Sequence, residues 1–151
     1  MSSINASNEI KTEILIDATA EVIWSILTDF AAYPSWNPFI VKLSGQAKLN
    51  ARIGFVARSN GIPLFIIARI LSFDQHKRLS WGGPGPNWLQ RIVAAEHYCI
   101  IEQLSATQCR FVHGELMSGV VPSVLWPLIQ RSRPAYQAMN QALKERAEGM
   151  R

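Results

Sequence analysis

Cysteine is scarce in this chain of 151 residues: only Cys99 and Cys109 occur, and no CxxC or HExxH spacing accompanies the three histidines. A disulfide-built scaffold and a metal site of sequence-local ligands are therefore not expected. The two cysteines flank a turn expected at residues 103–107. A disulfide across it is conceivable, but reduced thiols packed as small apolar groups are the plainer reading. Long hydrophobic runs are lacking as well. The most apolar stretch, residues 119–129, contains Pro122 and Pro127 and falls well short of the roughly 20 residues that cross a bilayer, so no membrane span is expected. Residues 1–13 carry neither a basic leader nor an apolar run, which predicts no secretory signal and a cytoplasmic location. The glycine-rich GGPGP segment lacks the GxGxxG spacing and the Lys-Ser/Thr ending of a phosphate cradle. Net charge is +4 with pI ≈ 9.4, but the basic residues are scattered and no aromatic residues interleave with them. Nucleic acid is accordingly not an expected partner.

What is present suits one globular domain over residues 1–151, with 48% hydrophobic and 17% charged residues and a length that can bury a substantial core. Residues 10–16 read as a first strand. Asp17 or Thr19 can cap a following helix, where Ile23, Ile26, Leu27 and Phe30 keep one apolar stripe. Pro34 and Pro38 force a short helical turn and an irregular corner. Strand-like stretches follow at residues 39–43, 52–58, 64–73 and 78–81. The Asn60-Gly61 pair between the second and third is a hairpin signal. Residues 82–88, GGPGPNW, read as a loop, a candidate lid or rim. Two more strands, residues 92–102 and 110–117, are expected to pair antiparallel. After Gly119 the period becomes helical, with Leu125, Ile129, Tyr136, Met139 and Leu143 on one face; Pro122 fits its first turn, whereas Pro127 and Pro134 must kink or divide it. One strand, two short helices, six strands and a long helix make an α+β domain.

Several short motifs carry a resemblance over residues 16–146. They include Val22-Ile23-Trp24, Thr28-Asp29-Phe30, Tyr33-Pro34-Ser35-Trp36-Asn37-Pro38, Leu79-Ser80-Trp81-Gly82 and Glu96-His97-Tyr98. His113-Gly114-Glu115-Leu116-Met117-Ser118-Gly119 and Met139-Asn140-Gln141-Ala142-Leu143-Lys144 complete the series. Together they resemble the START-like, or SRPBCC, superfamily in its polyketide cyclase/dehydrase and lipid-transport-like branch. The resemblance implies a helix-grip fold: a curved antiparallel sheet of about seven strands wrapped around a long C-terminal helix, with two short helices after strand 1. It also implies a cavity between sheet and helix that takes a lipid, quinone or polyketide-like molecule without a cofactor. Cys99 and Met117 stand where the family commonly has a larger apolar residue and Phe, departures expected to alter cavity shape.

The polar residues of interest are His97, His113 and Glu115. A turn centred on Ser105 would set His97 opposite His113 and Ala95 opposite Glu115. Whatever the register, Phe111, His113, Glu115 and Met117 share one strand face, and its apolar members suggest that this face looks inward. Histidines and a carboxyl in an apolar cavity can exchange protons with a carbonyl or enol substrate, as a cyclase, dehydratase or hydrolase would require. The plainer alternative is that His97 and Glu115 satisfy each other or backbone groups and hold the sheet to the long helix. Trp81 and Trp88 are expected to flank the glycine-proline loop as an aromatic gate. Tyr136 and Met139, one turn apart, should face the sheet. The expected partner is a hydrophobic small molecule, and a homodimer stays open at this point.

Overall fold

A computed structural model describes residues 8–83 and 87–150. The β-branched and aromatic segments form seven strands: β1 (Glu9–Ile16), β2 (Ile40–Ser44), β3 (Arg52–Ser59), β4 (Ile62–Asp74), β5 (Arg78–Gly82), β6 (Ala94–Gln103) and β7 (Cys109–Ser118). They pair antiparallel throughout in the order β1-β7-β6-β5-β4-β3-β2. Helix α1 (Ala20–Thr28) and a 3₁₀ helix (Phe30–Ser35) follow β1, and α2 (Asn87–Ile92) precedes β6. The C-terminal helix is divided where the prolines require it. Segment α3 (Val120–Ile129) contains Pro127, a short 3₁₀ turn covers Gln130–Ser132, and α4 (Arg133–Gly149) carries Pro134 in its first turn, where a missing amide proton costs nothing. This is the expected helix-grip fold.

Local chemistry accounts for the joints. Thr19 Oγ1 accepts from the Val22 amide and caps α1, satisfying one of its orphan donors. Asn60 and Gly61 both have positive φ, 54° and 78°, as a two-residue type I′ hairpin demands. At the corner after the 3₁₀ helix, Asn37 Oδ1 accepts from the amides of Phe39 and Ile40, both at 2.9 Å. That replaces bonds the flanking prolines cannot make and aims Phe39 into the core.

The core lies on the concave face, where Ile23 and Leu27 of α1, Tyr33, Ile53, Leu79 and Trp81 meet Tyr136, Met139 and Leu143 of α4. Both cysteines are buried and free.

Two expectations need correction. The last strand pair is two residues out of the expected register: His97 faces Glu115, Cys99 faces His113 and Ala95 faces Met117. The ladder closes at Gln103 and Cys109, so the turn centres one residue later than Ser105. A two-residue slip keeps every side chain on its face, and the inward set is unchanged. Residue 92 belongs to α2, and β6 starts at Ala94. Of the expected 82–88 loop, Gly82 ends β5 and Asn87 and Trp88 begin α2. Residues 84–86, the centre of the expected lid, lie outside the described residues.

Candidate functional site

Strands β1, β6 and β7 and helix α4 bring a polar chain into the core. His97 and His113 are 5% and 0% exposed, and their Nε2 atoms lie 2.8 Å apart. His113 Nδ1 is 2.8 Å from Asn140 Oδ1, Asn140 Nδ2 donates to Thr12 Oγ1 at 2.8 Å, and Thr12 donates to the His113 carbonyl at 2.7 Å. The bonding pattern assigns the protons. The single hydroxyl proton of Thr12 is committed to a carbonyl, so Thr12 must accept from the Asn140 amide nitrogen. The Asn140 oxygen therefore faces His113, whose Nδ1 carries the proton. His113 Nε2 is then a bare acceptor for the Nε2 proton of His97, and His97 Nδ1 keeps a free lone pair.

Burial keeps both rings neutral. Desolvation, with His113 opposing a charge beside it, holds His97 well below the usual histidine range. Desolvation lowers His113 to about 4, against smaller opposing contributions from its bonds with Asn140 and Tyr136. Beside them the Tyr136 hydroxyl donates to Glu115 Oε2. Burial pushes the Glu115 carboxyl up, with the Tyr136 bond opposing. Burial and the Glu115 carboxyl together push the Tyr136 phenol up.

Aromatic rings enclose this group. Trp81 stacks on His97, centroids 4.8 Å apart and planes 3° from parallel, and Tyr136 lies over His97 at 5.7 Å. Phe39 packs on Tyr136 at 4.6 Å, and Phe111 on His113 at 5.7 Å. The indole Nε1 of Trp81 is buried without a hydrogen-bond partner.

Most of the residues singled out in the sequence come together here: His97, His113, Glu115, Trp81, Phe111 and Tyr136. Met139 is fully buried in the core, and Met117 is half-buried beside Ala95. Trp88 does not join them. It projects from α2 and is 64% exposed while Trp81 is 1% exposed, so the two tryptophans form no common gate. His97 and Glu115 do not satisfy each other: His97 bonds His113, and Glu115 bonds Tyr136, which ties the sheet to α4. Sequence reasoning passed over Thr12 and Asn140. Asn140 sits one helical turn after Tyr136, a spacing that puts both on one face of α4 and was the available signal.

One trio has the chemistry to ligate a metal: ring nitrogens of His97 and His113 and the thiol of Cys99 lie within 4.8 Å of one another. No sequence spacing announces it, because the pairing of Cys99 with His113 across strands creates it. Two nitrogens on one tetrahedral zinc stand about 3.3 Å apart, so the 2.8 Å separation is that of a hydrogen-bonded pair.

The wider surroundings matter as much as the polar group. Strand β4 pairs with β5 only from Arg69 onward, because β5 ends at Gly82. Residues 62–68 therefore lack a neighbour on that side. A cavity of about 490 Å³ remains between them and α2 with the start of β6, lined by Ile66, Ile67, Ala68, Leu89, Val93 and Ala95 among others. Ala95 is two residues from His97 on the same strand face. A larger cleft of about 720 Å³ lies at the opposite end, between the start of α1 and the β4–β5 turn, where Glu21, Gln75, His76, Lys77 and Arg78 line it.

A family profile described as polyketide cyclase/dehydrase and lipid transport matches residues 7–148. Among solved structures, a START superfamily protein from Mycobacterium smegmatis aligns at TM-score 0.75 and 18% identity, over 95% of this chain and 99% of that one. The Zhui aromatase/cyclase of a Streptomyces species aligns at TM-score 0.74 and 13% identity, over 93% of each chain. Norcoclaurine synthase of Thalictrum flavum aligns at TM-score 0.71 and 14% identity, over 94% of each. At these identities the likeness is one of fold. No curated protein sequence matches the chain.

Proposed function

Starting from the chain's membership of the polyketide cyclase/dehydrase and lipid transport family, we propose that it binds an apolar small molecule of lipid, quinone or polyketide type on the uncovered half of its concave face. The observation that carries this reading is apolar surface left open beside a polar floor. Ile66 faces Phe55 and Leu64 faces Ala57 across the ladder, on the side where Phe55 and Ala68 are buried, yet they are 37% and 59% exposed. The 490 Å³ gap opens next to them and reaches Ala95, one strand step from the stacked pair Trp81 and His97. A ligand body in the gap would bury apolar surface; roughly 300 Å² contributes about 7 kcal/mol before the cost of association. Its polar end would meet the unpaired Trp81 Nε1 and the free lone pair of His97. The larger cleft fits less well, because it lies at the other end from Ala95 and carries charge of both signs, Glu21 with Lys77 and Arg78, whereas the gap has only Arg52 and Arg69 beside its apolar lining.

Proton chemistry is the second reading, since a free histidine lone pair and a carboxyl with raised pKa occupy one site. Electrostatics favour binding. With His113 lowered to about 4, placing a proton on it at neutral pH costs about 4 kcal/mol. The pair is better suited to accepting a hydrogen bond than a proton.

Ala95→Phe tests where the ligand sits by filling the gap while both histidines stay in the chain. A neutral apolar fluorophore such as N-phenyl-1-naphthylamine should bind the parent protein and bind this variant about tenfold more weakly, with melting temperature and far-UV spectrum retained. Unchanged affinity in Ala95→Phe, together with loss on modifying the cleft by Gln75→Trp, would move the ligand to the other end. A co-purified molecule identified by native mass spectrometry and then converted by the protein would favour an enzyme, and Glu115→Gln should then abolish turnover while leaving binding.

A further inference from the structure

Three neighbouring elements turn large apolar side chains to solvent. On the β3–β4 hairpin, Phe65 is 69% exposed and Ile62 and Ile67 are exposed beside it; on α2 Trp88 and Ile92 stand out; on α3 Val124 is 71% exposed, with Val120 and Leu128 on the same helix. Helix α2 links the other two. Leu89 and Val93 line the same gap as Ile66 and Ile67. On its far side, the Ile92 carbonyl abuts Gly119 so closely that a Cβ there would lie 2.6 Å from it. Arg91 shares a cleft with Val120 and Val124. Apolar side chains therefore follow one another from the open edge of β4 through α2 to α3, with Phe65 on the outer face of that edge beside Val56.

Charge on this surface has one sign. No Asp or Glu occurs in residues 30–73, 75–95 or 116–144, the intervals that contain α2, α3 and all of the β3–β4 hairpin except its last residue, Asp74, at the end far from the tip. Arg58, Arg69, Arg91 and Arg131 are exposed within them. Of the flanking carboxyls, Glu115 faces inward and is bonded to Tyr136, Glu96 pairs with Arg78, and Glu9, next to the Asn8 that reaches Ser123 of α3, accepts from the Tyr98 hydroxyl.

We propose that this apolar, arginine-rimmed end is a docking surface for an anionic lipid bilayer, with Phe65, Trp88 and Val124 inserting at the headgroup level and the arginines meeting lipid phosphates. Exposed aliphatic and aromatic groups edged by cations match an interfacial membrane site, in which apolar burial and attraction to anionic lipid act together. A second copy of this chain fits poorly, because a two-fold interface would set arginines against arginines with no carboxylate between them. Aliphatic side chains have no role on a nucleic-acid backbone. The inference does not depend on what the concave face binds.

Sedimentation of the full chain with sucrose-loaded phosphatidylcholine vesicles, with and without phosphatidylglycerol, tests it. The protein should sediment with phosphatidylglycerol vesicles in low salt and be released in high salt. Phe65→Glu combined with Val124→Glu should weaken partition by at least about tenfold, and Arg58→Glu combined with Arg91→Glu by a similar factor. These positions are exposed, so unchanged melting confirms that the variants fold. Fluorophore binding on the concave face should survive Val124→Glu, which keeps this result separate from the ligand reading. Absence of binding to phosphatidylglycerol vesicles would overturn the proposal. So would binding unaffected by either double variant, or a stable dimer or protein complex that Phe65→Glu dissociates, since the face would then be covered by protein.

Discussion

Two imidazoles 2.8 Å apart, shut away from water, cannot readily take up a proton, whereas the same histidines in the unfolded chain titrate near 6.5. The folded His113 value of about 4 lies below the unfolded one. Between those values the unfolded state binds the additional proton, and its stabilising contribution is fully present above pH 6.5 and lost as pH falls toward 4. Over that window His113 alone accounts for about 3 kcal/mol, and the lowered His97 acts in the same direction. Glu115 opposes them: its raised value stabilises the fold at low pH and loses that effect as pH rises above 4.5. Urea midpoints measured from pH 7.5 down to 4 should therefore fall, and His113→Gln, which keeps a donor toward Asn140, should flatten the decline. An equal slope in both proteins would place the acid sensitivity elsewhere. Residue types alone pointed to this cluster, because His113 and Glu115 alternate with Phe111 and Met117 along one strand and had to share its inward face. Its wiring was not legible, since hydrogen-bond partners depend on how α4 is rotated against β1 and β7.

Secondary-structure elements were readable wherever one local interaction dominates. Asn60-Gly61 dictated a two-residue hairpin, Thr19 capped α1, and Pro127 and Pro134 divided the last helix. Helix α2 was not anticipated because the Gly-Pro run before Trp88 reads as loop, and the short amphipathic turn that follows gains its support from α3 and β6. Strand alternation set the face of every residue in β6 and β7 but left the register to the turn, where the ladder ends at Gln103 and Cys109. Two glycines make the distinction between local and tertiary constraint measurable. Gly61 has φ +78° and open space around its absent Cβ, so Gly61→Ala meets only the left-handed backbone penalty of about 1–2 kcal/mol. At Gly114 a Cβ would fall 2.0 Å from the Ile10 carbonyl oxygen and 2.6 Å from the Tyr98 hydroxyl. Relief requires β1 to move away from β7. Gly114→Ala should cost more than Gly61→Ala, on the order of 3 kcal/mol or beyond, or prevent folding. Equilibrium denaturation of the two variants, compared with the parent, checks the ranking, and equal losses would show that the β1–β7 contact yields easily.

At the scale of the whole molecule, the helix grip is closed at one end and open at the other. Helices α1 and α4 seal the end where Ile23, Leu27, Met139 and Leu143 are buried. Toward α3 and the β3–β4 hairpin, apolar side chains remain in water. Packing density predicts how stability is distributed. Amides of β1, β7 and α4 should exchange only on global unfolding, whereas those of residues 62–68, α2 and α3 should open locally. A ligand that occupies the gap binds only when the open end is arranged around it. It should raise overall stability by about 2.7 kcal/mol at a hundredfold excess over its dissociation constant. It should also slow amide exchange first in residues 62–68, α2 and α3, leaving the amides near α1 little changed. Hydrogen exchange read by mass spectrometry, with and without N-phenyl-1-naphthylamine, resolves these segments. Protection confined to the β4–β5 turn and the start of α1 would assign binding to the larger polar cleft, and the apolar gap would then be a feature of surface docking alone.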